Sequence, residues 1–559
     1  MNIIKNKIII VVALVLTVSC SSDFLEKHPY GELSEEQIAQ EENLERLIFG
    51  AYSILNGQID NASNAFNSPA SNWSFGDVVS DDAYKGGGGT GDQNNIHLME
   101  IYNTNPAIVD IERKWKALYE GVRRSNLAIR ILNQSEDISE ELRNQRIAEM
   151  KFLRGHFYFE LKKIYNRIPY LDESAVTLTD FEVSNTALAE DELWAKIEAD
   201  FNDAYNELPA TQPDNSKGRP TKYAAMAYMA KVYLFRGEWS KVITAVDDVI
   251  DNGGYDLMDN FEEVFLPEND NGSEIVFSIQ QSINDGVPSN YNGSIGDRLL
   301  PPGGPRYPGY GFLRPTQNLV NAFMTDANGL PTSTGDDLQI TDNADPRIDF
   351  TLGRPGIPYK DLGILYEADW ARDLATYGPY GPKKRLLSAN SEHYLAVWPY
   401  VNALNYYVIR FSDVLLWKAE ALIETDDYEG GKDIINQIRR RARDGDMVMT
   451  LDGTTTAGNY VIDEYPSFST YEEAIAALRT ERRLELAHEG HRFFDLVRWG
   501  IADEVLNNYI AEEQTISPYL SGVSFQSGKN EYFPLPQSQI DLGGKDENGE
   551  PLITQNPGY

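Results

Sequence analysis

The sequence predicts a mainly α-helical fold in which tetratricopeptide-like helical hairpins form a superhelix, with long irregular loop inserts and minor β structure. Three observations support this prediction. Apolar residues recur at helical spacing in blocks that short turns connect. In two of the hairpins, alanines line one helix face, where small side chains let antiparallel helices pack closely. Long stretches rich in Gly, Pro, Asn, Asp and Tyr lack any helical period.

The chain is predicted to begin with an export signal, residues 1–19. Its apolar run, residues 8–18, is shorter than the ~20 residues of a membrane-spanning helix and is typical of a signal-peptide core. The run ends at Cys20, the only cysteine, which we expect to carry lipid. A strict lipoprotein signal has Leu three residues before the cysteine, where this chain has Thr17, so an unmodified cysteine is the alternative. Lipid on Cys20 would hold the protein at a membrane without a transmembrane helix.

Residues 20–252 are predicted to form an N-terminal helical region with one loop insert, residues 63–91. Apolar periodicity predicts helices over six ranges: 35–57, 106–133, 139–165, 190–208, 221–236 and 240–252. We expect Gly237 to end the fifth helix, because glycine adopts the left-handed conformation common after helices.

Residues 253–400 are predicted to form a loop-rich ligand-binding insert, with one short strand at 274–279. So long a loop region inside a compact protein is either functional or disordered, and its aromatic content argues against disorder. Residues 401–559 are predicted to form a C-terminal helical region that begins with a hairpin over 411–443. We expect the two inserts to meet on one face of the superhelix.

Composition excludes several classes of function. The formal charge of −37 opposes nucleic acid and anionic membrane surfaces as partners. A nucleophilic cysteine and a GxSxG motif are both missing, so the sequence lacks the residues that acyl-transfer catalysis requires. Glycoside hydrolysis stays open, because the 86 Asp and Glu residues could include two catalytic carboxylates ~5–9.5 Å apart.

A glycine-rich run, Gly86 to Gly91, matches the dinucleotide-binding pattern GxGxxG. A nucleotide loop follows a hydrophobic strand and opens a helix. Here Asp81-Asp82-Ala83-Tyr84-Lys85 precedes the run and Asp92-Gln93-Asn94-Asn95 follows it, so we expect no nucleotide site.

A His–Glu cluster near the C-terminus invites a metal interpretation. Glu485 and His488 match a Glu-x-x-His pair, but His488 and His491 are three residues apart rather than four, and a di-iron site needs further carboxylate helices. We therefore predict no metal site. The favoured interpretation is a buried charged network formed by Arg482, Arg483, Glu485, Glu489, Arg492, Asp495 and Arg498.

Aromatic residues in the two inserts are the candidates for carbohydrate binding. Sugars present apolar C–H faces that stack on aromatic rings, and hydroxyl groups that bind planar polar side chains. The predicted ligand-binding residues are Trp73, Asp81, Asp82, Tyr84, Tyr291, Tyr307, Tyr310, Arg314, Trp370 and Tyr377. For each, packing within the loop framework is the alternative. We expect Trp73→Ala and Trp370→Ala to weaken binding most, and His488→Ala and His491→Ala to have no effect.

Several segments together resemble one known family. They are Cys20 followed by Phe24-Leu25-Glu26, Ser80-Asp81-Asp82, Gly311 to Gln317, Val408 to Leu416, Leu478 to Gly500 and the final Gln555 to Tyr559. In these segments the chain is similar to the SusD/RagB family, the surface glycan-binding lipoproteins of Bacteroidetes.

The resemblance implies a non-catalytic lipoprotein anchored in the outer membrane and facing the cell exterior. Its implied partners are a TonB-dependent, SusC-like outer-membrane transporter and an oligosaccharide or polysaccharide, with no cofactor. The negative charge favours a neutral glycan, and we expect a β-glucan such as laminarin. The alternatives are a surface glycoside hydrolase or lyase, and a peptide-capturing relative of the same fold.

Overall fold

The computed structural model describes residues 41–59, 65–287 and 290–559. The predicted export signal and Cys20 lie outside the described residues, as do the start of the first predicted helix and the first two residues of insert 63–91. Within the described ranges, no helix has both the length and the apolar character needed to cross a membrane.

The protein is mainly helical, which confirms the predicted fold class. The α-helices of the described residues are α1 (Glu41–Tyr52), α2 (Asn94–Glu100), α3 (Val109–Gln134), α4 (Glu140–Tyr165), α5 (Glu190–Glu207), α6 (Lys222–Phe235), α7 (Trp239–Asn252), α8 (Gln317–Ala322), α9 (Ile348–Thr351), α10 (Leu374–Tyr377), α11 (Phe411–Glu424), α12 (Tyr428–Asp444), α13 (Tyr471–Leu486), α14 (Arg492–Arg498), α15 (Ala502–Glu513) and α16 (Gln537–Leu542).

The β structure is minor. Its strands are β1 (Ala83–Gly86), β2 (Ile275–Ile279), β3 (Phe312–Pro315), β4 (Asn343–Ala344), β5 (Leu352–Gly353), β6 (Gly381–Pro382), β7 (Tyr406–Arg410) and β8 (Asn459–Tyr460). They pair as two-stranded ladders: β1–β3, β2–β7 and β5–β6 are antiparallel, and β4–β8 is parallel.

Consecutive helices pack against one another to form the superhelix. From α3 to α7 each helix contacts the next, and α11 continues the series by packing on α7, α12 and α13. The predicted helices 139–165 and 190–208 correspond to α4 and α5 within one residue. As predicted, α6 ends just before Gly237, which has a φ of 66°.

Small residues set the spacing between these helices. A Cβ on Gly121 of α3 would overlap the Phe157 ring of α4, and a Cβ on Gly155 would press on Phe201 of α5. The Phe201 ring in turn stacks on Tyr228 of α6, with ring centroids 4.5 Å apart. Close helix packing therefore depends on glycine where the aromatic rings of the core interlock.

Two ladders tie the loop inserts to this helical frame. Strand β2, near the start of the large insert, pairs with β7, which follows the end of the insert, with Ile275 opposite Arg410, and β2 confirms the predicted strand. Strands β1 and β3 join the two inserts to each other, with Tyr84 opposite Arg314. The expected contact between the inserts is thus confirmed.

Candidate functional site

A hairpin at the end of the large insert presents the most exposed tryptophan side chain of the described residues. Tyr394 and Asn402 bridge its arms, and the Tyr400 N–H donates to the Val397 carbonyl at 2.8 Å to form the tip. Trp398, at this tip, is 50% exposed, whereas the next residue, Pro399, is buried and fixes the tip on the protein. The hairpin therefore exposes the indole ring of Trp398 to solvent.

Tyr400 and Tyr310 extend this exposed area. Their ring centroids lie 5.8 Å apart with an angle of 69° between the planes, an edge-to-face arrangement that orients both rings. Both side chains are partly exposed. Trp398, Tyr400 and Tyr310 are hereafter called the aromatic surface.

Polar side chains of the large insert lie close to Tyr310 in space or in sequence. The Arg372 Nη1 group donates to the Tyr310 carbonyl at 3.2 Å and to Asp92 Oδ2 at 3.0 Å. Arg306 is exposed and donates from Nη2 to Asn390 Oδ1 at 2.6 Å. Arginine and carboxamide groups at the edge of an aromatic area are suited to binding hydroxyl groups.

The glycine-rich run is closed by side chains of the protein itself. Lys85 Nζ donates to the carbonyls of Gly86 at 3.0 Å and Gly89 at 2.9 Å, and the Gly88 N–H donates to Asp92 Oδ2 at 2.9 Å. The structure differs from the sequence prediction in one respect, because strand β1 leads into the glycine-rich run and helix α2 follows it. The Gly88 N–H that a bound phosphate would need nevertheless already donates to the Asp92 carboxylate. The geometry therefore opposes a nucleotide site.

Tyr307 and Trp370 lie beneath the aromatic surface rather than on it. Tyr307 is buried and donates its hydroxyl to the Leu387 carbonyl at 2.8 Å. Trp370 is 4% exposed and packs on Tyr366 at 4.8 Å. A Cβ on Gly304 would overlap the Trp370 ring, so the backbone covers one face of the indole. The expectation of an open stacking face on Trp370 is therefore wrong.

Trp73 is likewise a core residue. It lies in a turn of π-helix, Trp73–Asp77, has no exposed surface, and donates from Nε1 to the Gly296 carbonyl at 3.0 Å. Its ring meets Phe312 edge-on at 6.1 Å. Because both its ring and its N–H are engaged inside the protein, the expectation of a free stacking face on Trp73 is also wrong.

Asp81 and Asp82 join the first insert to the C-terminal helices. Asp81 forms a bidentate pair with Arg492 at 2.8 and 2.9 Å, and Asp82 accepts from Arg483 Nε at 2.7 Å. Burial alone would raise the pKa of Asp81, but Arg483 and Arg492 lower it well below its usual range. Both carboxylates are buried, so these contacts are those of a structural clasp.

Tyr84, Arg314 and Tyr377 are buried around the β1–β3 ladder. The Tyr84 hydroxyl donates to Glu513, and its ring lies 6.1 Å from that of Tyr377. Arg314 Nη2 donates to the Tyr366 hydroxyl at 3.2 Å. These side chains support the backbone beneath the aromatic surface.

Tyr291 and Tyr310 are the predicted site residues that keep exposed area in the described structure. Tyr291 packs beside the hairpin that carries Trp398, against a small cluster that contains Val401. Its carbonyl accepts from Gln58 Nε2 at 2.7 Å. Ligand contact by any of the ten predicted residues stays a prediction. Eight of the ten are buried and contribute to the protein framework in this conformation.

Sequence reasoning missed Trp398 and Tyr400. Both lie inside the predicted binding insert, in the segment Val397-Trp398-Pro399-Tyr400. The available signal was a Trp-Pro-Tyr tripeptide within a loop, because a residue before proline favours extended or turn backbone. That signal marks a turn but does not reveal which rings face solvent.

The C-terminal His–Glu cluster is a buried ion network, as predicted. Glu485 has no exposed surface and accepts from Arg441 at 2.5 Å and from Arg410 at 3.1 Å. Burial would raise its pKa, but Arg441, Arg410 and Arg347 hold the pKa of Glu485 well below its usual range. Burial, with Lys384 and Arg385 nearby, lowers the pKa of His488 to about 3, so this ring is neutral at pH 7.

Metal binding has no support in the part of the chain that the structure describes. Within it, no group of three or more His, Cys, Asp or Glu side chains is arranged to hold an ion. The network around Glu485 is instead balanced by guanidinium groups, which satisfy its oxygens.

Comparison with family models matches two parts of the chain. Residues 273–559 match the model described as SusD family. Residues 23–234 match a model described as starch-binding associating with outer membrane.

Curated relatives cover most of the chain. SusD-like protein P25 of Formosa agariphila is 25% identical over 533 residues, 90% of this chain and 91% of the relative. Starch-binding protein SusD of Bacteroides thetaiotaomicron is 25% identical over 465 residues, 77% of this chain and 75% of the relative.

Solved structures share the fold. A laminarin binding SusD-like protein superposes with a TM-score of 0.68 at 23% identity, covering 93% of this chain and 100% of that one. Surface glycan-binding protein A of Bacteroides thetaiotaomicron, in complex with laminarihexaose, gives a TM-score of 0.67 at 21% identity, covering 92% and 99%.

Proposed function

The chain belongs to the SusD family, and from that premise we propose that it captures a neutral glycan on its aromatic surface and delivers it uncleaved to a TonB-dependent outer-membrane transporter. The observation that carries the proposal is the half-exposed Trp398 ring at the hairpin tip, with Tyr400 in the same hairpin and Tyr310 packed against Tyr400.

The aromatic surface has the chemistry that a sugar ring requires. An exposed indole covers the apolar C–H face of a pyranose, with a gain of ~25 cal/mol per Å² of buried apolar area. The hydroxyls of Tyr310 and Tyr400 and the side chains of Arg306 and Asn390 would then bind the sugar hydroxyls.

The charge distribution supports a neutral ligand. The net charge of −37 repels polyanions such as alginate or sulfated glycans. At the aromatic surface the charge of Arg372 is already balanced by Asp92. Laminarin or laminarihexaose appears in the names of two solved structures with this fold, and we propose a β-glucan such as laminarin as the ligand.

Capture without hydrolysis fits the same geometry. The Asp92 carboxylate accepts hydrogen bonds from Gly88 and Arg372, so both contacts hold it within the protein framework. The curated relatives are named as binding or SusD-like proteins. We therefore propose that glycan leaves the protein intact.

Surface anchoring completes the proposal. Lipid on Cys20 would attach the protein to the outer membrane, facing the exterior, where the transporter can receive the glycan. The description of the family model that matches residues 23–234 supports association with that membrane.

The proposed function is tested by calorimetric titration of the purified protein with laminarin, xylan, mannan and inulin, and with alginate as the polyanionic control. We expect one neutral glycan to bind with micromolar to millimolar Kd, or ~4–8 kcal/mol. The same mixtures are assayed for reducing ends, which should not increase. Binding of alginate alone, or release of reducing ends, would contradict the proposal.

A further inference from the structure

A cavity of about 460 Å³ lies between the C-terminal end of α1, the turn that contains Asn215 to Arg219, and the segment that follows β2. Its volume falls within the ~300–1,000 Å³ range of small-molecule sites. Nine of its fifteen lining residues are Asn, Gln or Ser, and none of them is Asp or Glu. The described wall is therefore dense in uncharged donors and acceptors.

Gln281, in this wall, has a carboxamide oxygen without a hydrogen-bond partner among the described residues. Its backbone N–H donates to Asn405 Oδ1 at 2.8 Å, which fixes the main chain. Its Oε1 atom is buried and has no hydrogen-bond partner among the described residues. The neighbouring Gln280 differs, because its carboxamide and that of Asn271 exchange two hydrogen bonds of 2.9 Å.

An unpaired buried carbonyl oxygen is costly, and the terminal torsion of glutamine is soft. Rotation about this torsion exchanges the positions of the Gln281 carboxamide oxygen and nitrogen. A ligand with hydroxyl groups would then satisfy both its oxygen and its nitrogen.

Phe49 gives the same cavity an aromatic wall. Its side chain is 55% exposed, and the Arg219 guanidinium lies 5.4 Å from the ring centroid. Arg219 is paired with Glu149 at 2.6 Å and with Glu45 at 2.7 Å. Its positive charge is thereby compensated, so the cavity offers no attraction to an anionic ligand.

Tyr291 connects this cavity with the aromatic surface. Its carbonyl accepts from Asn56 Nδ2 at 3.3 Å, and Asn56 lines the cavity. Its ring packs in the cluster with Val401, on the hairpin that carries Trp398. The cavity and the hairpin that carries Trp398 therefore adjoin the same residue.

We propose that this cavity, with Gln281 and Phe49 as its key side chains, is a second saccharide subsite that binds a further part of the same neutral glycan chain. The inference rests on the proposed function. A saccharide is favoured over a peptide because most of the lining residues carry an amide or hydroxyl group that can bind sugar hydroxyls.

The test begins with calorimetry of the wild-type protein against laminarihexaose, xylohexaose, mannohexaose, an inulin-type hexaose and an uncharged Gly-Ser hexapeptide. The hexasaccharide that binds is then titrated into Gln281→Leu, Phe49→Ala and Trp398→Ala. Matched controls are Gln539→Leu, a half-buried glutamine elsewhere, and Phe181→Ala, a phenylalanine that is 50% exposed.

We expect Gln281→Leu and Phe49→Ala each to raise the Kd about tenfold, with both controls within twofold of wild type. Gln281→Leu should keep the wild-type Tm, because it removes an unpaired oxygen. If only Trp398→Ala weakens binding, the second subsite is refuted and the proposed function stands. If the wild type binds none of the hexasaccharides, or binds only the peptide, both are refuted.

Discussion

Removing the Trp398 side chain should weaken glycan binding without changing stability. A tryptophan offers ~150–250 Å² of surface, and half of the Trp398 side chain is exposed, so a stacked sugar could cover at most ~100 Å². At ~25 cal/mol per Å² this is worth ~2.5 kcal/mol. After the cost of ordering the ligand we expect ~1.5–2.5 kcal/mol, a roughly 10- to 70-fold rise in Kd.

Calorimetry and urea denaturation of Trp398→Ala measure the two effects separately. The free energy of unfolding should stay within ~0.5 kcal/mol of wild type, because the ring is not part of the core. Phe181→Ala is the control, since it removes a similarly exposed ring elsewhere. A Kd within twofold of wild type for Trp398→Ala would refute the stacking argument.

Three further outcomes concern buried groups. Trp73→Ala should lower the free energy of unfolding by ~3–5 kcal/mol, because it leaves a cavity and an unpaired Gly296 carbonyl; weaker glycan binding with unchanged urea stability would contradict its burial. Glu485→Gln should cost ~3–5 kcal/mol in urea denaturation by leaving guanidinium groups unbalanced, and an unchanged unfolding midpoint would count against the buried network. The folded pKa of His488, about 3, is below its usual 6.5, so the unfolded chain binds the extra proton between those values. Stability from neutral His488 is therefore complete above pH 6.5 and lost as pH falls, and wild type should lose up to ~1.4 kcal/mol per pH unit relative to His488→Asn. Parallel urea stability curves for the two proteins from pH 7 to 4.5 would rule this out.

The helical frame could be predicted from sequence because its signals are local. Helices α4 and α5 have apolar residues at helical spacing over more than four turns, and Gly237 marks a helix end. The buried ion network around Glu485 could also be predicted from the sequence. Many charged residues stand at helical spacing among aromatic residues there, and charges buried beside aromatic rings require partners of opposite charge. What the sequence did not identify was the partners themselves, such as Arg410 from β7.

The candidate site was predicted only as a region. The loop aromatics do lie in two inserts that meet, as the β1–β3 ladder shows. Whether a given loop ring faces solvent depends on contacts between residues far apart in sequence. Trp73 is buried through Gly296, 223 residues away, whereas Trp398 lies exposed next to the buried Pro399. Neither contact leaves a local pattern.

The most direct test of glycan capture at the aromatic surface is a crystal structure of the protein with the oligosaccharide that binds in the calorimetric panel. We predict a sugar ring stacked on Trp398, with its carbons ~4 Å from the indole and its hydroxyls within hydrogen-bond distance of the Tyr310 or Tyr400 hydroxyl groups. An oligosaccharide bound elsewhere, with the Trp398 ring still in solvent, would contradict the assignment.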